Sequence, residues 1–111
     1  MPAQLIYLSN KPIRETGPKK ADLRLSVDVG GMSELALVAT VYEGTDVSLR
    51  VLTGMQLESD LGWLTLGTFT LLNANGADKQ VWTGLLRYVR WEVVSSGTTT
   101  FMIAGIARSC C

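Results

Sequence analysis

The order of apolar and polar residues predicts strands along most of this chain. Across residues 22–29, Leu23, Leu25, Val27 and Val29 alternate with Asp22, Arg24, Ser26 and Asp28, the period-two pattern of a strand with one buried face. Gly30 and Gly31 end it. Residues 34–42 begin with helix-compatible leucines and alanines, but Val38, Thr40, Val41 and Tyr42, followed by Gly44, favour a strand. Residues 43–46, Glu-Gly-Thr-Asp, read as a hairpin turn into a strand where Val47, Leu49 and Val51 alternate with Ser48 and Arg50.

After a short link at residues 55–60, Trp63, Leu64, Leu66, Phe69, Leu71 and Leu72 predict a strand kinked near Gly62 and Gly67. Residues 73–78 are a loop by composition, and residues 80–83 a brief strand. Residues 85–108 read as two long strands joined by a tight turn at Ser95, Ser96 and Gly97, with Gly97 free to take positive φ. Leu85, Val89, Trp91 and Val93 share one face of the first strand, opposite Tyr88, Arg90 and Glu92. In the second, Phe101, Ile103 and Ala107 oppose Met102, Ala104 and Ile106, so this strand is expected to be covered on both sides.

Residues 1–21 depart from the pattern. A short strand fits residues 4–8, yet Asn10, Pro12, Gly17 and Pro18 interrupt regular structure, and Lys19 and Lys20 add charge. The expected fold is all-β: an antiparallel, jelly-roll-like β-sandwich of about eight strands. It occupies residues 22–108, between an extended N-terminal arm at 1–21 and a tail at 109–111. The arm is the expected subunit-contact element, through Leu5, Ile6 and Tyr7 and the charges of Lys11, Arg14, Lys19 and Lys20. Deleting residues 2–18 is expected to leave the sandwich folded and to weaken assembly.

At 111 residues the chain suits one domain. A hydrophobic content of 47% against 18% charged residues implies a large core or a surface covered by a partner. Ten basic residues balance ten acidic ones, so no global field draws nucleic acid or an anionic membrane, and neither is an expected partner. The charges are sorted, however. Lys11, Arg14, Lys19, Lys20 and Arg24 make the start basic, Arg50 is the single base between Asp28 and Asp78, and the last third is basic again. A basic arm on one copy therefore complements the acidic middle of another. No apolar run approaches the roughly 20 residues that span a bilayer. The first residues lack the basic region of a signal peptide and their short apolar run ends at Ser9, so the chain is expected to stay in the cytoplasm or to leave the cell only as part of something larger.

Histidine is absent, which removes Ser-His and Cys-His pairs and the commonest transition-metal ligand. Glu58 and Asp60 are a close acidic pair of the kind a glycosidase or calcium site uses, but beside a turn they read as polar punctuation. Gly30-Gly31 lacks the Lys-Ser or Lys-Thr of a phosphate loop. Cys110 and Cys111 are neighbours, with Cα atoms about 3.8 Å apart, too close for an unstrained mutual disulfide. They read as free thiols or as cross-links to another chain, and two ligands are too few for structural zinc. No catalytic, cofactor-binding or metal residue is expected, and no enzyme activity. Tyr42, Trp63 and Trp82 form the expected aromatic contact face, suited to stacking on sugar rings or to burial against a subunit.

Residues 57–108 resemble the small β-sandwich virion proteins of tailed bacteriophages, the capsid-cement or decoration class. The features are Ser59-Asp60-Leu61-Gly62-Trp63, then Leu66-Gly67-Thr68-Phe69, and after a polar loop Leu86-Arg87-Tyr88-Val89-Arg90-Trp91. A Ser-Gly turn, Thr100-Phe101 and a closing Ala107-Arg108 complete the pattern. The resemblance implies a non-enzymatic component present in many copies, in contact with copies of itself and with a major capsid or other particle protein. Its location would be a virion or particle assembled in the cytoplasm. The aromatic residues carry the alternative of a carbohydrate-binding or adhesion module using Tyr42, Trp63 and Trp82.

Overall fold

The longest strand runs through both halves of the molecule and determines where every other strand lies. The computed structural model describes residues 3–109. Its strands are β1 (Ala3–Tyr7), β2 (Ile13–Lys20), β3 (Val27–Asp28), β4 (Glu34–Glu43), β5 (Val47–Gly54), β6 (Leu64–Leu72), β7 (Gly76–Thr83) and β8 (Tyr88–Arg108). Every pairing is antiparallel, and β8 is 21 residues long.

On one side, the first half of β8 pairs with β5, from Gly54 opposite Tyr88 to Leu49 opposite Val93. The second half pairs with β4, from Glu43 opposite Thr100 to Glu34 opposite Arg108. Beyond them β6 pairs with β5, and β7 with β4. On its other side β8 meets β1, β2 and β3 in succession along its length. Four long ribbons thus lie side by side: residues 3–28, β8, β4 continued by β5, and β6–β7. Each bends near its middle, so the sheet folds over itself into a nearly closed barrel with a β5 half and a β4 half.

The bends are tied together at one end. Thr99 Oγ1 donates to the Glu43 carbonyl at 2.9 Å, the Ala74 N–H to the Gly44 carbonyl at 3.0 Å, and the Asn75 N–H to the Val41 carbonyl at 2.7 Å. Within β8 the bend falls at Ser95–Gly97, where Ser95 Oγ accepts from the Ser48 N–H at 3.1 Å. Gly17 lies opposite Gly97, and a Cβ at Gly17 would collide with the Ser95 carbonyl oxygen. Gly97 does take positive φ, at 95°.

This arrangement corrects the expected hairpin at residues 95–97. A hairpin and a bent strand need the same small polar residues at the bend. Their difference lies in the partners, because each half of β8 finds its neighbours in β4 and β5 and not in the other half. For the same reason, residues 43–46 form a corner between strands that do not pair with each other.

The inner faces build one core. Leu35, Leu37, Ala39 and Val41 of β4 face inward with Phe101, Ile103 and Ala107 of β8, all fully buried. Leu49 and Val51 join Val89, Trp91 and Val93 in the other half. Burying each such Val, Leu, Ile or Phe side chain is worth roughly 1.5–3 kcal/mol. The two halves meet through edge-to-face pairs: Trp91 with Phe101, centroids 5.1 Å apart, and Phe69 with Trp82, 5.5 Å apart.

Two further expectations change. The expected arm is the edge ribbon of the sheet: β1 and β2 pair with β8, Ile6 is 1% exposed, and the Leu8 and Ser9 N–H groups both donate to the Ile103 carbonyl. Pro12 lies in the connection before β2, and Pro18 falls where the β2–β8 register shifts between Gly17 and Lys19, so neither has to donate an N–H to the ladder. The alternating run at residues 22–29 forms only the two residues of β3. Asp22 Oδ1 accepts from the Arg24 N–H at 2.9 Å and starts a 3-10 turn over Leu23–Leu25, leaving Leu25 59% exposed.

Candidate interaction surface

The two halves of the sheet treat their outer faces differently. On the β5 half, Leu52 and Arg90 lie directly opposite each other and point outward, yet both are buried. The covering comes from this chain. Arg90 Nη2 donates to Asp60 Oδ1 at 2.7 Å and Nη1 to the Ala21 carbonyl at 3.0 Å, while the Trp63 ring lies over the guanidinium with its centroid 4.5 Å away. The loop at residues 55–63 is thereby clamped to the sheet. Its own turn is closed by Trp63 Nε1–H donating to the Ser59 carbonyl at 3.1 Å and the Leu61 N–H donating to Ser59 Oγ at 3.0 Å. Gly54 makes room, since a Cβ there would sit 2.6 Å from the Trp63 ring. The Arg90 hydrogen bond holds the Asp60 carboxyl below the usual carboxylate range, with a smaller contribution from the charge of Lys20.

Nothing among the described residues covers the outer face of the β4 half in this way. Register sets its composition, because directly opposed residues in adjacent antiparallel strands point to the same side. One outward row runs Leu5, Ile106, Ala36, Val81 across β1, β8, β4 and β7. The next runs Tyr7, Ala104, Val38, Lys79, and a third Met102, Thr40, Ala77 across the last three strands. Leu5 is 66% exposed, Val81 50% and Val38 40%.

Ion pairs frame these rows. At one end Arg108 Nε lies 3.5 Å from Glu34 Oε1. At the other, Arg14 Nε donates to Glu43 Oε1 at 3.0 Å, as does Thr100 Oγ1. These two donors, Arg14 first, lower the Glu43 pKa from its ordinary value. A contiguous apolar patch with a charged rim is the usual form of a protein-binding surface.

The residues expected to make subunit contacts are distributed as follows. Leu5 and Tyr7 lie on the apolar face, and Arg14 on its rim. Ile6 points the other way, into the core of its own chain. Lys11 is exposed between β1 and β2, Lys19 pairs with Glu15 at 3.0 Å, and Lys20 is exposed at the end of β2. The aromatic trio is not one face. Tyr42 points outward from β4, Trp63 lies on the β5 half against Arg90, and Trp82, opposite the inward Leu35, packs on Phe69 and Gly67. Glu58 and Asp60 sit in the 55–63 loop, and Asp60 is committed to Arg90. Cys110 and Cys111 lie outside the described residues.

Sequence reading missed Ala36, Val38 and Val81 as surface residues. The available signal was the apolar content of both faces in residues 34–42 and 101–107, which pointed to burial and not to a bare face. A cleft of about 490 Å³ lies at the edge ribbon, lined by Leu8, Ile13, Leu25 and Trp91 among others. Among the described residues, no three His, Cys, Asp or Glu side chains gather as metal ligands, and no helix is long and apolar enough to cross a membrane. No family model, curated protein or solved structure matches the chain.

Proposed function

We propose that this chain is a non-enzymatic structural subunit of a phage-like particle, acting through contacts among many copies. In that reading the folded sheet is the sandwich module of a cement, shell or related virion component, resting on copies of itself and on a major capsid or other particle protein. One observation carries it. The outer face of the β5 half is covered by a loop of the same chain, whereas that of the β4 half presents Leu5, Val38 and Val81 to solvent. Water contact over a contiguous apolar face is unfavourable by roughly 25 cal/mol per Å², and association removes it.

The free edges supply further contacts. Among the described residues, β1, β2 and β3 pair only with β8, β6 only with β5, and β7 only with β4. A face and two sheet edges give one subunit more than one kind of neighbour, which a closed particle requires. Light scattering of the purified full chain tests the reading. The expected result is a particle of many copies, and a stable monomer at every concentration tested would overturn it.

A further inference from the structure

We infer that the outer face of the β4 half is a self-complementary dimer interface, with a second copy of this chain as its occupant. The two-fold axis lies in the plane of the interface, parallel to the strands and between β8 and β4. The inference rests on the multi-copy reading above and names its first contact.

The residue rows identify this axis. Rotation about it lays β8 over the partner's β4 and β1 over the partner's β7, and each row meets itself reversed. Arg108 then faces the Glu34 position of the second copy, and Glu34 its Arg108 position, so the rim pairs are opposite in sign twice over. In the next row Leu5 meets the Val81 position and Ile106 the Ala36 position. Tyr7 meets the Lys79 position, placing an ammonium on an aromatic ring. Next to the axis, Ala104 meets the Val38 position, small against branched, which suits two sheets packed face to face about 10 Å apart.

The other in-plane axis, perpendicular to the strands, fails the same test. It lays β4 on the partner's β4 and sets Glu34 against the Glu43 position, carboxylate on carboxylate. Size is also adequate. Four strands at about 4.8 Å and eight residues at about 3.4 Å give roughly 500 Å² in projection, the order of the ~800 Å² of accessible surface each partner buries in a standard interface. On the β5 half the loop at residues 55–63 lies between the strands and any partner, and the exposed apolar side chains there, Met55, Leu57 and Leu61, stand on that loop and not in rows set by strand register.

Two measurements on the full chain test the inference. Sedimentation velocity compares the parent with Val38→Glu, which places a carboxylate beside the axis on an exposed strand position and is checked for folding by circular dichroism. The expected result is a parent of dimeric mass, or a multiple of it, and a variant that loses the dimer. Separately, with Cys110 and Cys111 replaced by serine, chains carrying Ala104→Cys are mixed with chains carrying Val38→Cys and treated with a short bismaleimide. Linked heterodimers are expected, and none when Ser96→Cys at the bend replaces Ala104→Cys. An unchanged mass for Val38→Glu, or linkage no greater than for the Ser96→Cys control, overturns the interface. Larger particles that persist in either case would leave the multi-copy reading standing, whereas a monomeric parent would remove both.

Discussion

Asp60 accepts a 2.7 Å hydrogen bond from the Nη2 of Arg90, an arginine whose side chain is 1% exposed and whose guanidinium also carries the Trp63 ring. The covered half of the sheet depends on this clamp, and the clamp is pH-sensitive. Because the Asp60 pKa is lowered in the folded state, its contribution to stability is complete above the unfolded carboxylate value, near 3.9. It is lost as pH falls through the lower folded value. Tryptophan fluorescence should therefore report release of the 55–63 loop only below about pH 4. Glu43 and Asp22 are lowered in the same direction, so the comparison is with Asp60→Asn. That variant should lose part of the acid dependence and show the loop signal already at neutral pH.

Arg90→Leu separates the clamp from the strand beneath it. The substitution puts an apolar side chain at this position of β8 and removes the cation from Trp63 and the donors from Asp60 and the Ala21 carbonyl. A desolvated cation–π contact is worth about 2 kcal/mol, and a loss of that order is expected in urea unfolding. Limited proteolysis should cut within residues 55–63 first. A variant as resistant as the parent would show that the loop is held by something other than Arg90.

The edge ribbon makes an opposite demand on truncation from the one an independent arm would make. Ile6 is buried beneath the sheet and pairs with Gly105, so Ile6→Ala should cost about 2–4 kcal/mol. Deleting residues 2–18 removes β1 and most of β2, strips the partner strand from half of β8, and opens Ile103 and Trp91 to water. The truncated chain is expected to lose its cooperative unfolding transition, not merely its assembly. A truncated chain that melts like the parent would return these residues to the status of an arm.

Gly105 tests how closely the ribbons approach. A Cβ there would collide with the Ala36 carbonyl oxygen, a backbone atom held by the β4 ladder, so Gly105→Ala should cost about 3 kcal/mol or more. Gly62→Ala is the contrasting case. Nothing lies within 4 Å of its Cβ position, and only its φ of +81° opposes the methyl group, for a cost of about 1 kcal/mol. Equal midpoints for the two variants in denaturant would contradict this ranking.

Much of the strand content was legible because period-two alternation responds to local burial. Val47, Leu49 and Val51, or Phe101 and Ile103, face the core as their spacing predicts. Topology was less legible. Ser95, Ser96 and Gly97 suit a hairpin as well as a bend, and only the ladders to Leu49 and Val41 distinguish them. The surface was hardest to read, since Ala36, Val38, Ala104 and Ile106 carry the composition of a buried face. Apolar residues look the same in sequence whether their own chain or another copy covers them. Trp63 and Trp82 show the converse: glycines at positions 54 and 67 admit both rings, a relation between distant residues that no local pattern contains.

Salt should separate the two kinds of contact that a particle of this chain would use. The dimer face is apolar at its centre, with ion pairs only at its rim, where exposed pairs contribute about 0–1 kcal/mol. Proposed contacts between the basic edge ribbon, with Lys11 and Lys20 exposed, and acidic loops carrying Asp46 or Glu58 would rest mainly on charge. Screening shortens from about 10 Å at 0.1 M salt to about 3 Å at 1 M. Raising sodium chloride across that range should break larger assemblies into dimers while leaving the dimers intact. Light scattering that instead showed the dimers dissociating first would mean that the apolar rows at Val38 and Ala104 do not hold the copies together.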